Sequence, residues 1–467
     1  MSGTITINSN DLLNAIYTQL KSQITKEPEI AKQEYSYIIW TDGTKYYAKN
    51  GTTGQIDFIN TDIASIFNDV INSIDTGGVI YIKSGTYDFN GATINIPKYI
   101  SIIGDGAHIT TLKNVTLNYD GSNLGWAESI VVARLGFMNG NQYSIRFYKM
   151  SHSIVRECIF NRPTYYVGVP HIILDQSVSM KIIENGFEAY NLQAIRIHGD
   201  TGAPIPAHYI AFNDFGTTTG TYQWQNIYDI ASIYIDHYTQ SYNVIAFNDN
   251  WRKAPFLYSK APYNILIGNQ GGGDEETTYI YFEWGYNIVI GNKFYTTGTT
   301  STARIAVDVG PSLWVGNHME FMGGVGVYLR GTVFLNNVLI YQKSSGTPLM
   351  IDDKGNNIIA YNMFTALSGA TMQFNFKPTS IVIGNLGYNP QPVTTVTVSA
   401  NTTTTIGPYP YPVQVMLSSP SSAISVSITR SGTSTPLPVQ NTYYLYPGDT
   451  LSITEAATAQ TAYIVPQ

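Results

Sequence analysis

The sequence predicts an all-β chain: a right-handed parallel β-helix with an N-terminal helical segment and a capping helix, followed by a C-terminal antiparallel β-sandwich. Three observations carry this. An apolar triplet closed by Asn recurs nine times, as IIEN (182–185), IAFN (210–213), IAFN (245–248), LIGN (266–269), VIGN (289–292), WVGN (314–317), FLNN (334–337), IAYN (359–362) and VIGN (382–385). The intervals run from 20 residues (Asn317 to Asn337) to 35 (Asn213 to Asn248), the length of one solenoid coil. Helical periodicity is confined to the first eighty or so residues.

Each element follows in order. Residues 1–33 place Leu13, Ile16, Leu20 and Ile24 at helical spacing behind Asn10 or Asp11 as N-cap, and one amphipathic helix of this length is marginal alone. We expect it to pack on another body, as an anchor or oligomerisation segment. Residues 34–78 hold a hairpin with turns at Asp42-Gly43 and Asn50-Gly51. A helix follows, capped by Thr61, with an apolar stripe of Ile63, Ile66, Phe67, Val70, Ile71 and Ile74. It should cover the first coil, whose open edge would otherwise template aggregation. Residues 79–390 form the β-helix. Alternate apolar residues point inward, and each Asn closes a strand in a left-handed turn, its amide bonded to the Asn one coil away. Cys158 occupies the Asn position in an upstream coil. Residues 391–467 are rich in Thr, Ser, Val and Pro, with short alternating runs and frequent turns, the pattern of a small sandwich.

Composition excludes several function classes. Charged residues make up 12% of the 467, about half the usual share, and polarity comes from Ser, Thr, Asn, Gly and 36 Tyr. The net charge of −7 and the absence of a Lys/Arg cluster argue against nucleic acid. No apolar run is long enough for a membrane span. The one cysteine, Cys158, sits among apolar neighbours and excludes an internal disulfide framework. A weakly ionised surface suits an extracellular or virion location, including hot acid. The first twenty residues lack a signal-peptide layout, so export inside an assembled particle is expected.

The text TDGTKYYAKNGTTGQIDF, TDIASIFNDVINSI, GGVIYIKSGTYDF and ISIIGDGAHITTL resembles the opening segment of pectate-lyase-like β-helix proteins. Such segments begin many tail-spike and surface proteins of phages and archaeal viruses. The Tyr/Ser/Thr/Asn-rich composition and the ending YYLYPGDTLSITEA look like virion proteins of thermoacidophilic archaea. IYIDHYT (233–239) is similar to a strand of pectate lyases whose Asp binds calcium, but the Arg-x-Pro-x-x-Arg element of that family is missing. The Asn-Thr-Asp of polygalacturonases occurs only at 60–62, with no Gly-His-Gly after it.

Candidate chemistry lies in columns of residues that the coils stack. Strand ends place Tyr148, Asp175, His198, Asp236, Ser259, Glu283, Asp308, Arg330, Asp352 and Asn375 in one column. Within it, Asp236, Glu283 and Asp308 are candidate catalytic carboxylates for glycan cleavage, since adjacent coils would set two carboxyls ~5 Å apart. A second column, one past each Asn, reads Asp214, Asp249, Gln270, Lys293 and His318, which turn chemistry also explains. Tyr222, Trp224, Trp251 and Trp284 are candidate glycan-binding platforms. Asp274, Glu275 and Glu276 are candidate Ca²⁺ ligands in an acidic turn; no other cofactor is expected.

The function expected from these readings is a virion fibre or spike. It would be held to other virion proteins by its N-terminal segment and would attach to a host surface glycan or glycoprotein. Lateral packing of the rods makes a homotrimer the expected oligomer. The alternatives are a spike enzyme (glycosidase or lyase) and a cellular surface-layer or adhesin component.

Overall fold

The computed structural model describes residues 14–19, 21, 35–97, 99–123, 127–139, 142–161, 169–188, 193–199, 207–216, 231–236, 242–251, 255–273, 278–297, 304–367, 369–387, 394–409, 412–418, 424–455 and 459–466. The chain divides into two compact units, Met1–Gly298 and Thr299–Gln467. Both contain coils of the expected parallel β-helix.

The first unit begins its coil stack with a hairpin. Tyr37–Thr41 pairs antiparallel with Tyr46–Asn50, and that strand with Ile56–Asn60. Tyr37–Thr41 then runs parallel to Gly77–Ile82, so the hairpin itself extends the sheet at its opening edge. The helix Ile63–Ser73 buries Ile63, Ile66, Phe67, Val70 and Ile71. Phe67 meets Phe89 edge-on at 5.1 Å. Its N-cap is Asp62 rather than Thr61. The Asp62 carboxylate accepts from the Ala64 and Ser65 backbone N–H groups at 3.1 and 3.2 Å, satisfying two donors with two oxygens, which one hydroxyl does less well.

Each fully formed coil contributes three short strands. One column runs Val131–Ala133, Ile154–Arg156, Lys181–Ile183, Tyr209–Ala211, Val244–Ala246, Ile265–Ile267 and Ile288–Ile290 in parallel register. Its central residues, among them Val155, Ile182, Ile210, Ile245, Leu266 and Val289, point into the cylinder and are fully buried. The second unit has its own such column, Leu313–Val315, Val333–Leu335, Ile358–Ala360 and Ile381–Ile383.

The Asn residues stack as expected. In the first unit the amide oxygen of each ladder Asn accepts from the backbone N–H and side-chain amide of the Asn one coil earlier, at 2.9–3.0 Å, through Asn185, Asn213, Asn248, Asn269 and Asn292. Cys158 donates its backbone N–H to Asn185 and heads the ladder. Its thiol is buried, which raises its pKa to about 12. The second unit repeats the ladder through Asn317, Asn337, Asn362 and Asn385. The left-handed residue, however, is the one before the Asn. Glu184, Phe212, Phe247 and Gly268 have φ of +57°, +58°, +52° and +61°. A ladder Asn must aim its amide along the stack, so the turn falls on its predecessor, and four of the nine predecessors (268, 291, 316 and 384) are Gly.

Residues 14–19 are helical, and Tyr17 packs edge-on against Phe212 and Phe247 at 5.6 and 4.8 Å. Ile16 lies on the outward apolar cluster of Ile154, Ile183, Ala211, Ala246 and Ile267. This part of the N-terminal segment therefore packs on its own coils.

The C-terminal part of the second unit holds two four-stranded antiparallel sheets, as expected. The first orders Thr394–Val398, Gln460–Pro466, Val413–Leu417 and Thr442–Leu445; the second orders Thr402–Ile406, Thr450–Glu455, Ile424–Arg430 and Thr433–Leu437. No helix among the described residues is long and apolar enough to cross a membrane.

Candidate functional site

The carboxylate column forms only in part. Strand pairing aligns Tyr148, Asp175 and His198 on successive coils. Ser259 is not in the column: register sets it opposite Ile235 and Phe282, and it is fully buried. Strand parity puts Lys260 outward between Asp236 and Glu283. Asp308, in the second unit, is fully buried and also leaves the column. The Trp314 indole N–H donates to it at 2.7 Å and Ser312 at 3.1 Å. Burial raises its carboxyl to about 7, against those hydrogen bonds. The reason is parity: Asp308 aligns with the inward Leu329 and Asp353, whereas Tyr328 and Asp352 share the neighbouring outward position.

The two catalytic candidates left on the outward column are already partnered. Arg196 and His198 both bind Asp236, the His198 Nδ1 at 2.5 Å. The Tyr258 hydroxyl donates to Glu283, and burial, with that carboxylate, holds its pKa far above the ordinary range. Tyr234, Tyr258 and Tyr281 stack beside them at 5.4 and 5.1 Å, with Tyr234 and Tyr258 only 6% and 5% exposed. Two coils separate Asp236 from Glu283, ~10 Å, with the Lys260 coil between them. Both candidate carboxylates of this strip are thus engaged, Asp236 by Arg196 and His198 and Glu283 by Tyr258.

The second column stands as the spacing predicts within the first unit: Asp214, Asp249, Gln270 and Lys293 are neighbours on successive coils. The Gln270 amide donates to Asp249 at 3.3 Å. Burial first, then the charges of Asp249 and Glu188, raises the Asp214 pKa. Among the described residues, no group of three His, Cys, Asp or Glu side chains is placed to hold a metal. Asp274, Glu275 and Glu276 lie outside the described residues, as do Tyr222 and Trp224.

The remaining aromatic candidates are open. Trp251 is 44% exposed and leans on Tyr295 at 5.9 Å; Trp284, one coil on, is 53% exposed. Beside Trp284 the structure adds a feature the sequence reading missed. Tyr242, Tyr263 and Tyr286 stack on successive coils at 5.3 and 5.1 Å, and the two end rings are 45% and 57% exposed. Tyr263 and Tyr286 have φ of +64° and +63°, an unfavourable conformation for an aromatic residue. A second amide ladder holds this corner. Asn243 donates to Asn264, and Asn264 to Asn287, both at 3.1 Å, while Asn287 donates to the Trp284 carbonyl at 2.7 Å. The signal was present as Tyr-Asn five residues before three of the ladder Asn residues: SYNVIAFN, PYNILIGN and GYNIVIGN.

No protein-family model matches the sequence, and no curated protein matches it. Three solved structures show the range of its likenesses. The PL6 family alginate lyase AlyGC aligns with 67% of this chain and 52% of its own, at 11% identity and a TM-score of 0.45. The chain thus spans about half the length of that enzyme. The Streptococcus pneumoniae surface adhesin PfbA aligns with 67% of this chain and 94% of its own, at 13% and 0.43. ORF18 of Geobacillus virus E2 aligns with 99% of this chain and 82% of its own, at 12% and 0.40. Likeness at this level leaves the activity of this chain to its own geometry.

Proposed function

We propose that this protein is an attachment protein that binds surface glycan through the aromatic corner of Trp284, Tyr286, Tyr263 and Tyr242. The supporting observation is the exposed tyrosine stack, kept in an unfavourable backbone conformation and pinned by a buried amide ladder. Rings held this way present fixed apolar surface to the faces of pyranose rings while their hydroxyls stay wet. The charge-poor surface suits a virion fibre. In the second unit, the outward positions of one strand column, Leu313, Val315, Val333, Leu335, Ile358 and Ile381, are apolar and suit lateral packing against further copies of the same chain.

Incubation of the full chain with glycan from candidate host envelopes tests the reading. Retention on the glycan is expected, and Trp284→Ala with Tyr286→Ala should abolish most of it. Unchanged retention in that variant overturns the assignment. New reducing ends or unsaturated sugars in the same incubation would favour the enzyme reading at Asp236 and Glu283 instead. Recovery of the protein from purified particles, and not from uninfected envelope, separates a virion fibre from a cellular adhesin. Sedimentation should give a species heavier than one chain.

A further inference from the structure

Among the described residues, the C-terminal sandwich carries rings on the outward strand positions of one sheet and none on those of the other. On the second sheet, the outward positions are Thr403, Thr405, Ser425, Ser427, Thr429, Ser434, Pro436, Thr450, Ser452 and Thr454, without one aromatic residue. On the first sheet the outward positions pair as Thr395 with Tyr463, Tyr463 with Met416, Met416 with Thr442, and Gln414 with Tyr444. Tyr444 is 62% exposed and Tyr463 42%. The inward residues of the same strands, Val413, Val415, Leu417, Tyr443, Leu445 and Ile464, fill the core, so the fold does not use the outward rings.

Tyr444 and the nearby Tyr446 are held in place. The Gln414 amide donates to the Tyr444 hydroxyl at 3.0 Å. Just beyond the strand end, Tyr446 lies against the Arg430 guanidinium at 4.8 Å. Asp449 grips that guanidinium through two bonds of 2.9 and 2.6 Å and accepts the Tyr446 backbone N–H at 2.9 Å. Among the described residues, no outward position of this sheet carries a charge.

We propose that this face is a second saccharide-binding site, for a neutral oligosaccharide. Tyr444 and Tyr463 stand two strands and two residues apart, which puts their Cα atoms ~12 Å from each other, the span of two to three linked pyranoses. The surrounding Thr hydroxyls and the Gln414 amide match sugar hydroxyls, and the lack of net charge matches a ligand without carboxylates. Four strands of about five residues give roughly 250 Å², well below the ~800 Å² per partner of a stable protein interface. The site does not depend on the aromatic corner of the coils.

Calorimetry of the full chain in a Trp284→Ala/Tyr286→Ala background isolates this face. Cellohexaose and mannohexaose serve as neutral probes and a hexagalacturonate as the acidic one. Binding of a neutral probe, insensitive to salt, is expected. Tyr444→Ala with Tyr463→Ala should weaken it about tenfold or more, and the corresponding Phe pair should keep it within about threefold. The Thr405→Ala change on the ringless sheet should leave it unaltered. No binding of either neutral probe overturns the proposal. So does exclusive, salt-sensitive binding of the acidic probe, or full affinity in an Ala pair whose thermal unfolding is unchanged. Self-association lost in the Ala pair would instead assign the face to a second copy.

Discussion

Replacing Asn269 by Ala should cost about 4–6 kcal/mol, far more than an exposed polar residue warrants. The side chain makes four hydrogen bonds. Its oxygen accepts from the Asn248 backbone N–H at 3.0 Å and the Asn248 amide at 2.9 Å. Its nitrogen donates to the Ile245 carbonyl at 2.8 Å and to the Asn292 oxygen at 2.9 Å. At about 1 kcal/mol per bond the direct loss is about 4 kcal/mol, and Asn248, itself fully buried, is left with donors that water cannot reach. Asn385 makes three such bonds at the half-buried end of the second ladder, where water can replace them, so Asn385→Ala should cost only about 1–2 kcal/mol. Urea unfolding measures both, and hydrogen exchange at the Asn248 amide reads the local loss directly. Equal costs at the two positions, or less than about 1 kcal/mol at Asn269, would show that the ladder is decoration on a stack held by its strands alone.

Two further outcomes rest on buried groups and one on a helix cap. Cys158, 1% exposed with its thiol pKa pushed up to about 12, should react with a thiol reagent only as fast as the coils open; stoichiometric labelling of the native protein within seconds would refute its burial. Asp308 has its pKa raised from 3.8 to about 7, so the folded state holds a proton that the unfolded chain releases. Its contribution to stability is complete below the unfolded value and is lost as pH rises through about 7; Asp308→Asn should flatten unfolding midpoints over that window, and an unchanged slope would exclude it as the source. Asp62→Ala removes the N-cap of the helix Ile63–Ser73 and should cost about 1 kcal/mol by thermal unfolding, while Thr61→Ala should cost a few tenths at most.

The coil register was legible because one residue type must recur for a physical reason. A buried amide that bonds to itself one coil away can be replaced only by another group with the same donors and acceptors, so Asn185 to Asn292 stand out against any composition. What the sequence hid was parity. A strand end one residue out of step exchanges inside for outside, and nothing in the letters around Asp308 distinguishes it from Glu283. The inward position of Asp308 is set by the coil stack, through its alignment with Leu329 and Asp353, and it becomes tolerable only because Trp314 and Ser312 supply donors. The aromatic corner was missed for the opposite reason. Tyr before Asn looks like ordinary turn chemistry until three copies stack, and only the stack turns single surface tyrosines into a continuous edge of rings. In a solenoid, then, function is read along the axis: a residue matters for what stands one coil above and below it. The glycan reading therefore rests on Tyr242, Tyr263 and Tyr286 acting together, and single substitutions at Tyr263 should weaken binding through loss of support for its neighbours.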